Sequence, residues 1–282
     1  MSIALVILAA GKGTRMESDL PKVLHPIGGA PMLVHALVSG QSLEPERVIV
    51  VAGHQAERVA DAARDFDPEV QVVVQDQQLG TGHAVAQARA ALAEFDGDVI
   101  VLYGDTPFIR PETLEAMAEA RRSHDVVVLG FTAADPGKYG RLVMEGDALM
   151  QIVEFKDAGL RERAIDFCNS GVISASAETL FALLDRVGND NASGEYYLTD
   201  VIAMAVQSGL TVETLQPEFA WEVDGVNDRV QLSRLERIYQ LAQAESLMRD
   251  GVPLRDPNRL DVRGSVQIAS DVIIDVNVVL EG

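Results

Sequence analysis

The stretch LAAGKGTRMESDLPK, residues 8–22, decides how the rest of the chain reads. It follows directly on the apolar run at residues 3–7, so a buried strand surfaces into a loop carrying Gly11, Gly13, Arg15 and Lys22. Glycine allows close backbone approach and unusual dihedrals, so the N–H groups around residues 11–14 can converge on phosphate oxygens. Arg15 and Lys22 can add charge-assisted hydrogen bonds to the same oxygens. Two common phosphate loops are excluded. A Walker loop needs G-x-x-x-x-G-K-[ST], but Met16 stands five positions after Gly11 and no Gly-Lys-Ser/Thr occurs. A dinucleotide loop needs G-x-G-x-x-G/A, and Met16 again fills the third small position. The second strand then ends in Ala52-Gly53-His54, without a carboxylate for a ribose. What remains is G-x-G-T-R, then Pro21-Lys22, at the carboxyl end of a strand.

Asp and Glu outnumber Lys and Arg 43 to 23 in the 282 residues, for a net charge of -20. Such a chain offers no basic surface to nucleic acid or anionic lipid, so a local cationic cluster is informative. The single cysteine, Cys168, permits no internal disulfide and reads as a small buried hydrophobe on a strand, which fits a reducing compartment. The amino terminus has no basic leader, and residues 3–10 fall well short of the ~20 a membrane span needs. The expected location is cytoplasmic.

Apolar runs at residues 3–8, 47–51, 70–74, 99–102 and 126–131 lack polar alternation, as strands buried on both faces of a parallel sheet do. Helical patterns at residues 32–42, 55–66, 83–94 and 111–122 separate them, the last with Pro111 at its first position. The order predicts a doubly wound, mostly parallel, Rossmann-like α/β sheet. Residues 141–145 and 149–155 then read as a hairpin and 166–174 as a further strand, together a mixed-sheet lobe over the sheet edge. Helices at 177–187 and 197–208, a strand at 211–215 and a long helix at 228–249 follow. In the tail, Leu260, Val266, Val272 and Val278 recur every six residues, as do Ile268, Ile274 and Leu280. That period predicts the first coils of a left-handed parallel β-helix, with two ordinary strands as the alternative. The expected boundaries are 1–227, a linker helix 228–250 and a β-helix start 251–282. The six-residue pattern is still running at Gly282, which suggests a piece of a longer chain.

Further motifs accompany the opening loop: QDQQLGTGHA at 75–84, YGDTP at 103–107, GKYGR at 137–141, IVEFKDA at 152–158, NSGV at 169–172, NDNASGEYYLTD at 189–200 and VNDR at 226–229. With the hexapeptide tail, the set resembles the bacterial bifunctional N-acetylglucosamine-1-phosphate uridyltransferase / glucosamine-1-phosphate acetyltransferase family. The resemblance runs through essentially the whole chain. It implies a pyrophosphorylase that makes UDP-N-acetylglucosamine for peptidoglycan and lipopolysaccharide precursors. The family's acetyltransferase belongs mostly to β-helix coils downstream of Gly282, so acetyl transfer is not expected of this chain. Family members form trimers through that β-helix. The substrates implied are UTP and N-acetylglucosamine 1-phosphate, with Mg²⁺ as cofactor.

Asp105 follows a buried run at the carboxyl end of a central strand, where open α/β sheets bind ligands, and a carboxylate beside phosphates suits Mg²⁺. Gly104 and Pro107 keep the alternative of a turn carboxylate open. The resemblance makes Asn227 a second metal ligand, against the alternative of a helix cap. It assigns phosphate chemistry to Arg15 and Lys22, and the nucleotide base to Gln75, Gly80, Thr81 and the backbone of Leu8, Ala9, Ala10 and Gly11. A Gln side chain offers the uracil edge both a donor and an acceptor. For the sugar it points to Tyr103, Gly104, Gly140, Glu154, Asn169 and Asn227. His25, His54 and His83 show no metal-ligand spacing.

The motifs contain no obvious general base, which fits the implied chemistry. A sugar phosphate is already anionic and must only be screened and aimed at the α-phosphorus. Two alternatives stay open from the residues: a pyrophosphorylase for another sugar phosphate and nucleotide, and a silent sugar-nucleotide-binding assembly module.

Overall fold

The computed structural model describes residues 2–282. Strand β1 (Ile3–Ala9) is buried over its last six residues, as its unbroken apolar run requires. It runs out into the glycine loop, which folds as two 3-10 turns, Thr14–Met16 and Lys22–Leu24. A small hairpin, β2 (Pro26–Ile27) and β3 (Ala30–Pro31), leads into α1 (Met32–Gln41). Then β4 (Arg47–Ala52), α2 (Ala56–Phe66), β5 (Gln71–Val74), α3 (Thr81–Ala86), β6 (Asp98–Tyr103), α4 (Pro111–Ala120) and β7 (Val126–Thr132) alternate. The second half holds β8 (Arg141–Glu145), β9 (Ala148–Val153), the single-turn α5 (Leu160–Arg163), β10 (Phe167–Ser176), α6 (Ala177–Leu184), α7 (Asp200–Gln207) and β11 (Val212–Leu215). The long α8 (Arg229–Arg249) and the parallel strands β12 (Leu260–Arg263) and β13 (Val278–Glu281) close the chain.

The main sheet runs β11-β7-β10-β6-β1-β4-β5. Strand β1 pairs in parallel with both β4 and β6, so the winding reverses at β1 and opens a crevice at its carboxyl end. Side chains of β1 alternate between two cores. Ala4, Val6 and Leu8 pack on one face, and Leu5, Ile7 and Ala9 on the other. Full burial of one such Leu or Ile contributes about 1.5–3 kcal/mol, which anchors the strand that launches the loop.

Four local readings change. The strand expected in the outer lobe threads into the main sheet instead: β10 lies antiparallel between β6 and β7. A register shift between Asn169 and Ile173 lets its start face the β8–β9 hairpin and its end the central strand. Strand β5 is an edge, with Val74 46% exposed, not a strand buried on both faces. The helix expected at 83–94 is α3 followed by a 3-10 turn. Arg47 Nη1 draws the carbonyls of Ala91 (2.8 Å) and Ala93 (3.2 Å) out of helical bonding. Residues 196–198 likewise stay out of α7: Tyr196 N donates to Leu79 O (2.7 Å) and Leu198 N to the Thr81 hydroxyl (3.0 Å).

Helix α8 is about 32 Å long. Its cap is Asp228, whose carboxylate accepts from Val230 N and Gln231 N at 2.9 Å each, so the Asn227 side chain is not the cap. Leu235 of α8 joins Met16, Ile27, Met32 and Val226 in a small core directly beneath the glycine loop. Farther along, Gln240 is buried and clamps β12 in both directions, donating to Val262 O (2.9 Å) and accepting from Val262 N (2.6 Å). In the tail, Leu260 faces Val278, eighteen residues on, in a parallel pair. Among the described residues no helix is long and apolar enough to cross a membrane.

Candidate active site

At the carboxyl ends of β1, β5 and β6 lies a cleft of about 260 Å³, with Leu8, Ala10, Gly11, Gln75, Thr81 and Tyr103 in its wall. Nothing stands within 4 Å of a side chain built on Gly11, so its backbone faces open space. Gly80 has φ +111, and a Cβ there would lie 2.5 Å from Tyr196 O; the crossing of these two segments requires glycine.

The polar floor is organised before any ligand arrives. Gln75 is buried, and its Nε2 donates to Gly80 O (3.0 Å) and lies 2.9 Å from His83 Nδ1. The amide nitrogen is thus spent internally. The carbonyl oxygen is the Gln75 group left to face the cleft, an acceptor. Gln78, which the sequence reading passed over, donates to Ala10 O (3.1 Å) and so holds the end of β1 against the loop after β5. Its place inside the QDQQLG motif was the available signal.

At the mouth of the cleft the expected phosphate and metal groups meet. Lys22 Nζ bonds Asp105 Oδ2 and stands 3.5 Å from Asn227 Oδ1, while Arg15 Nη2 donates to the same Asn227 oxygen at 2.8 Å. Residues more than 200 positions apart thereby share one point. The Lys22 and Asp105 side chains are 13% and 17% exposed, so the pair is screened weakly. Arg15 and Asn227 do not line the first cleft; they line a second, larger cavity on their other side.

The residues expected for the sugar also gather. Gly140 O accepts from Asn169 N (2.9 Å), and a Cβ on Gly140 would stand 3.5 Å from both Glu154 carboxylate oxygens. Burial pushes the Glu154 carboxyl above the usual range, while the Thr199 hydroxyl, donating at 3.0 Å, opposes the shift. Asn169 is buried, and its Oδ1 accepts from Gly171 N (3.0 Å). Gly171 has φ +96, and a Cβ there would come within 2.6 Å of the Tyr103 ring. The Tyr103 hydroxyl is pushed up by burial, so it remains a neutral donor. Gly104 is buried beneath the cleft, its N–H bonded to Leu8 O (3.0 Å), with Val23 and Leu33 against it. Thr199 and Glu195 were not singled out from sequence, although both sit in the EYYLTD motif.

A doubly wound sheet with a cationic glycine loop after its first strand and an aspartate after the neighbouring strand defines a nucleotidyltransferase-type site. The comparisons agree. Residues 5–165 match the model of the MobA-like NTP transferase domain, and the chain belongs to that family. It is 58% identical over 274 residues to the bifunctional protein GlmU of Ruegeria pomeroyi, covering 97% of this chain and 59% of that protein. It is 61% identical over 257 residues to GlmU of Cereibacter sphaeroides, covering 91% and 56% respectively. The chain therefore spans about three-fifths of the length of these relatives. Among solved structures, a UDP-glucose pyrophosphorylase complexed with UDP-glucose superposes with a TM-score of 0.71 at 17% identity, over 85% of this chain and 98% of that one. An inositol-1-phosphate CTP transferase from T. maritima gives 0.67 at 16% identity, over 83% and 93%. At such identity these two speak for the fold alone.

Proposed function

We propose that the chain is a uridyltransferase that joins UTP to N-acetylglucosamine 1-phosphate, forming UDP-N-acetylglucosamine and releasing pyrophosphate. The observation that carries this reading is the convergence of Arg15 and Lys22 on the Asn227 amide oxygen, with Lys22 also paired to Asp105, at the mouth of a base-sized cleft. High identity to the bifunctional relatives along nearly the whole chain supports the choice of substrates.

The cofactor this chemistry implies is Mg²⁺. Asp105 Oδ2 and Asn227 Oδ1 both turn toward the Lys22 ammonium, so two hard oxygens already face a cation. Among the described residues no cluster of three or more His, Cys, Asp or Glu could hold a metal by itself. One carboxylate and one amide match an ion that takes few protein oxygens and keeps waters and phosphate oxygens. The residues fit. When bound there, Mg²⁺ would neutralise phosphate charge.

The chain's own groups supply the rest. The amides around Gly11 and the Gln75 carbonyl hold the nucleotide, while Tyr103, Asn169 and Glu154 orient the sugar. Lys22 and Arg15 screen two polyanions whose repulsion is the principal barrier to their approach. The attacking phosphate oxygen is anionic near neutral pH and needs no base. In-line attack on the α-phosphorus makes one P–O bond and breaks the α–β bridge, and pyrophosphate carries the bonding pair away. We infer further that residues 1–227 form the catalytic unit, 228–250 the linker and 251–282 the start of a left-handed β-helix. The eighteen-residue offset of β12 and β13, three six-residue periods, supports that last assignment. Pyrophosphate release across a panel of nucleoside triphosphates and sugar 1-phosphates tests the reading: UTP with N-acetylglucosamine 1-phosphate should lead by at least tenfold, and a different leading pair refutes it.

A further inference from the structure

The larger cavity, about 590 Å³, shares Arg15 and Asn227 with the site above, but the rest of its wall has no role in that reading. It lies across the Arg15–Asn227 contact from the nucleotide cleft, between the loop after β7 and the start of α8. In a chain with nearly twice as many acids as bases, its wall is reversed: Arg15, Lys138 and Arg234 stand against Asp135 and Asp224. These charges are only partly paired. Arg234 faces Asp224 at 3.5 Å, and burial pushes the Asp224 carboxyl up toward its neutral form. Arg15 donates to a neutral amide, and among the described residues neither Arg15 nor Lys138 has a carboxylate within ion-pairing distance.

A fourth cation lies behind the wall. Arg141 is 2% exposed and is the largest fully buried side chain of the protein. Its guanidinium donates to the carbonyls of Tyr139 and of Gly137 (3.0 Å), two residues that line the cavity. Its Nε has no partner, and among the described residues no carboxylate lies within 4.0 Å of it. A buried cation without a counter-ion is costly, and its field reaches the space in front of the loop it props.

We propose that this cavity is a second anion site, which takes a phosphate or diphosphate group of the substrates against Lys138 and Arg15, with Arg141 as a positioning residue for the loop that forms its wall. This rests on the uridyltransferase reading for the identity of the group. Two sources share the chemistry: the departing pyrophosphate and the phosphate of the incoming sugar.

The test begins without turnover. Inorganic pyrophosphate and N-acetylglucosamine 1-phosphate are each titrated calorimetrically into the intact chain and into Lys138→Glu, with Lys138→Arg as rescue and Arg122→Ala as a control at a solvated surface site. Affinity for one of the two should fall about tenfold or more in Lys138→Glu, recover in Lys138→Arg and hold in Arg122→Ala, with unchanged thermal midpoints. Steady-state kinetics then identify the source. A raised KM for pyrophosphate in the reverse reaction assigns the cavity to the leaving group, and a raised KM for sugar phosphate in the forward reaction assigns it to the nucleophile. Unchanged affinity for both ligands in Lys138→Glu overturns the proposal. If wild-type chain lacks uridyl transfer altogether, the functional reading fails, while the titrations still decide the anion site.

Discussion

Replacing Lys22 by Met should separate catalysis from stability at a single point. The Lys22 ammonium contacts Asp105 and approaches Asn227, with both members of the ion pair less than one-fifth exposed. In the proposed mechanism Lys22 faces developing phosphate charge, and losing an interaction of that kind costs about 10²–10³ in turnover, or ~2.7–4 kcal/mol. Its removal also strands the Asp105 carboxylate in a low-dielectric cleft. A fully buried pair broken this way costs ~3–5 kcal/mol; the residual exposure here and the nearby Arg15 reduce the expected loss to about 1–3 kcal/mol. Asp105→Asn relieves the stranded charge. The double variant should therefore regain at least ~1 kcal/mol over Lys22→Met alone, while its turnover stays as low as that of the worse single variant. Urea unfolding followed by far-ultraviolet circular dichroism gives the stability cycle, and coupled pyrophosphate release gives the kinetic one. Turnover of Lys22→Met within threefold of wild type would falsify the catalytic assignment. A double variant that recovers turnover together with stability would show that the pair only holds the fold.

Glu154 carries a carboxyl raised chiefly by burial, so its folded pKa exceeds its unfolded one and its ionisation opposes folding at neutral pH. Stability should rise as pH falls from 7 toward the ordinary carboxylate range. Glu154→Gln, which keeps an acceptor for Thr199, should be more stable than wild type at pH 7 and flatten that rise in pH-dependent urea midpoints. Gly80→Ala places a methyl 2.5 Å from Tyr196 O at a φ of +111; it should destabilise the chain by about 1–3 kcal/mol and raise the nucleotide KM at least tenfold, measured by thermal melting and initial rates. Gln240→Leu leaves the N–H and C=O of Val262 buried without partners and should cost about 2–4 kcal/mol, with faster proteolysis after residue 250; unchanged protease resistance argues that β12 holds without the clamp.

The alternation of apolar runs with helical stripes was enough to read the doubly wound sheet, because strands buried on both faces carry no polar alternation and because βαβ units wind with one hand. It was also enough to place Arg15 and Lys22 at the carboxyl end of β1 and Asp105 at that of β6, since loops that follow buried strands surface there. The position of β10 was not readable. An antiparallel strand between two parallel neighbours has the same apolar composition as one in an outer lobe, and only its long-range pairing with β6 and β7 distinguishes them. Nor was the irregular end of α3 readable, because it depends on Arg47, some forty residues away.

Residue chemistry followed the same division. Sequence determined which groups the chain owns: a cationic glycine loop, one aspartate after a central strand, amides at Gln75 and Asn227, and a six-residue period at the tail. Tertiary structure decided which atoms those groups present. It spent the Gln75 amide nitrogen on Gly80 and left only its carbonyl, made Asp228 rather than Asn227 the cap of α8, and turned Asn227 toward Arg15 and Lys22. It also gathered Lys138, Arg234 and the buried Arg141 around one cavity. Local periodicity follows from contacts between near neighbours in the chain, whereas the orientation of a polar side chain is set by partners whose distance along the chain carries no pattern.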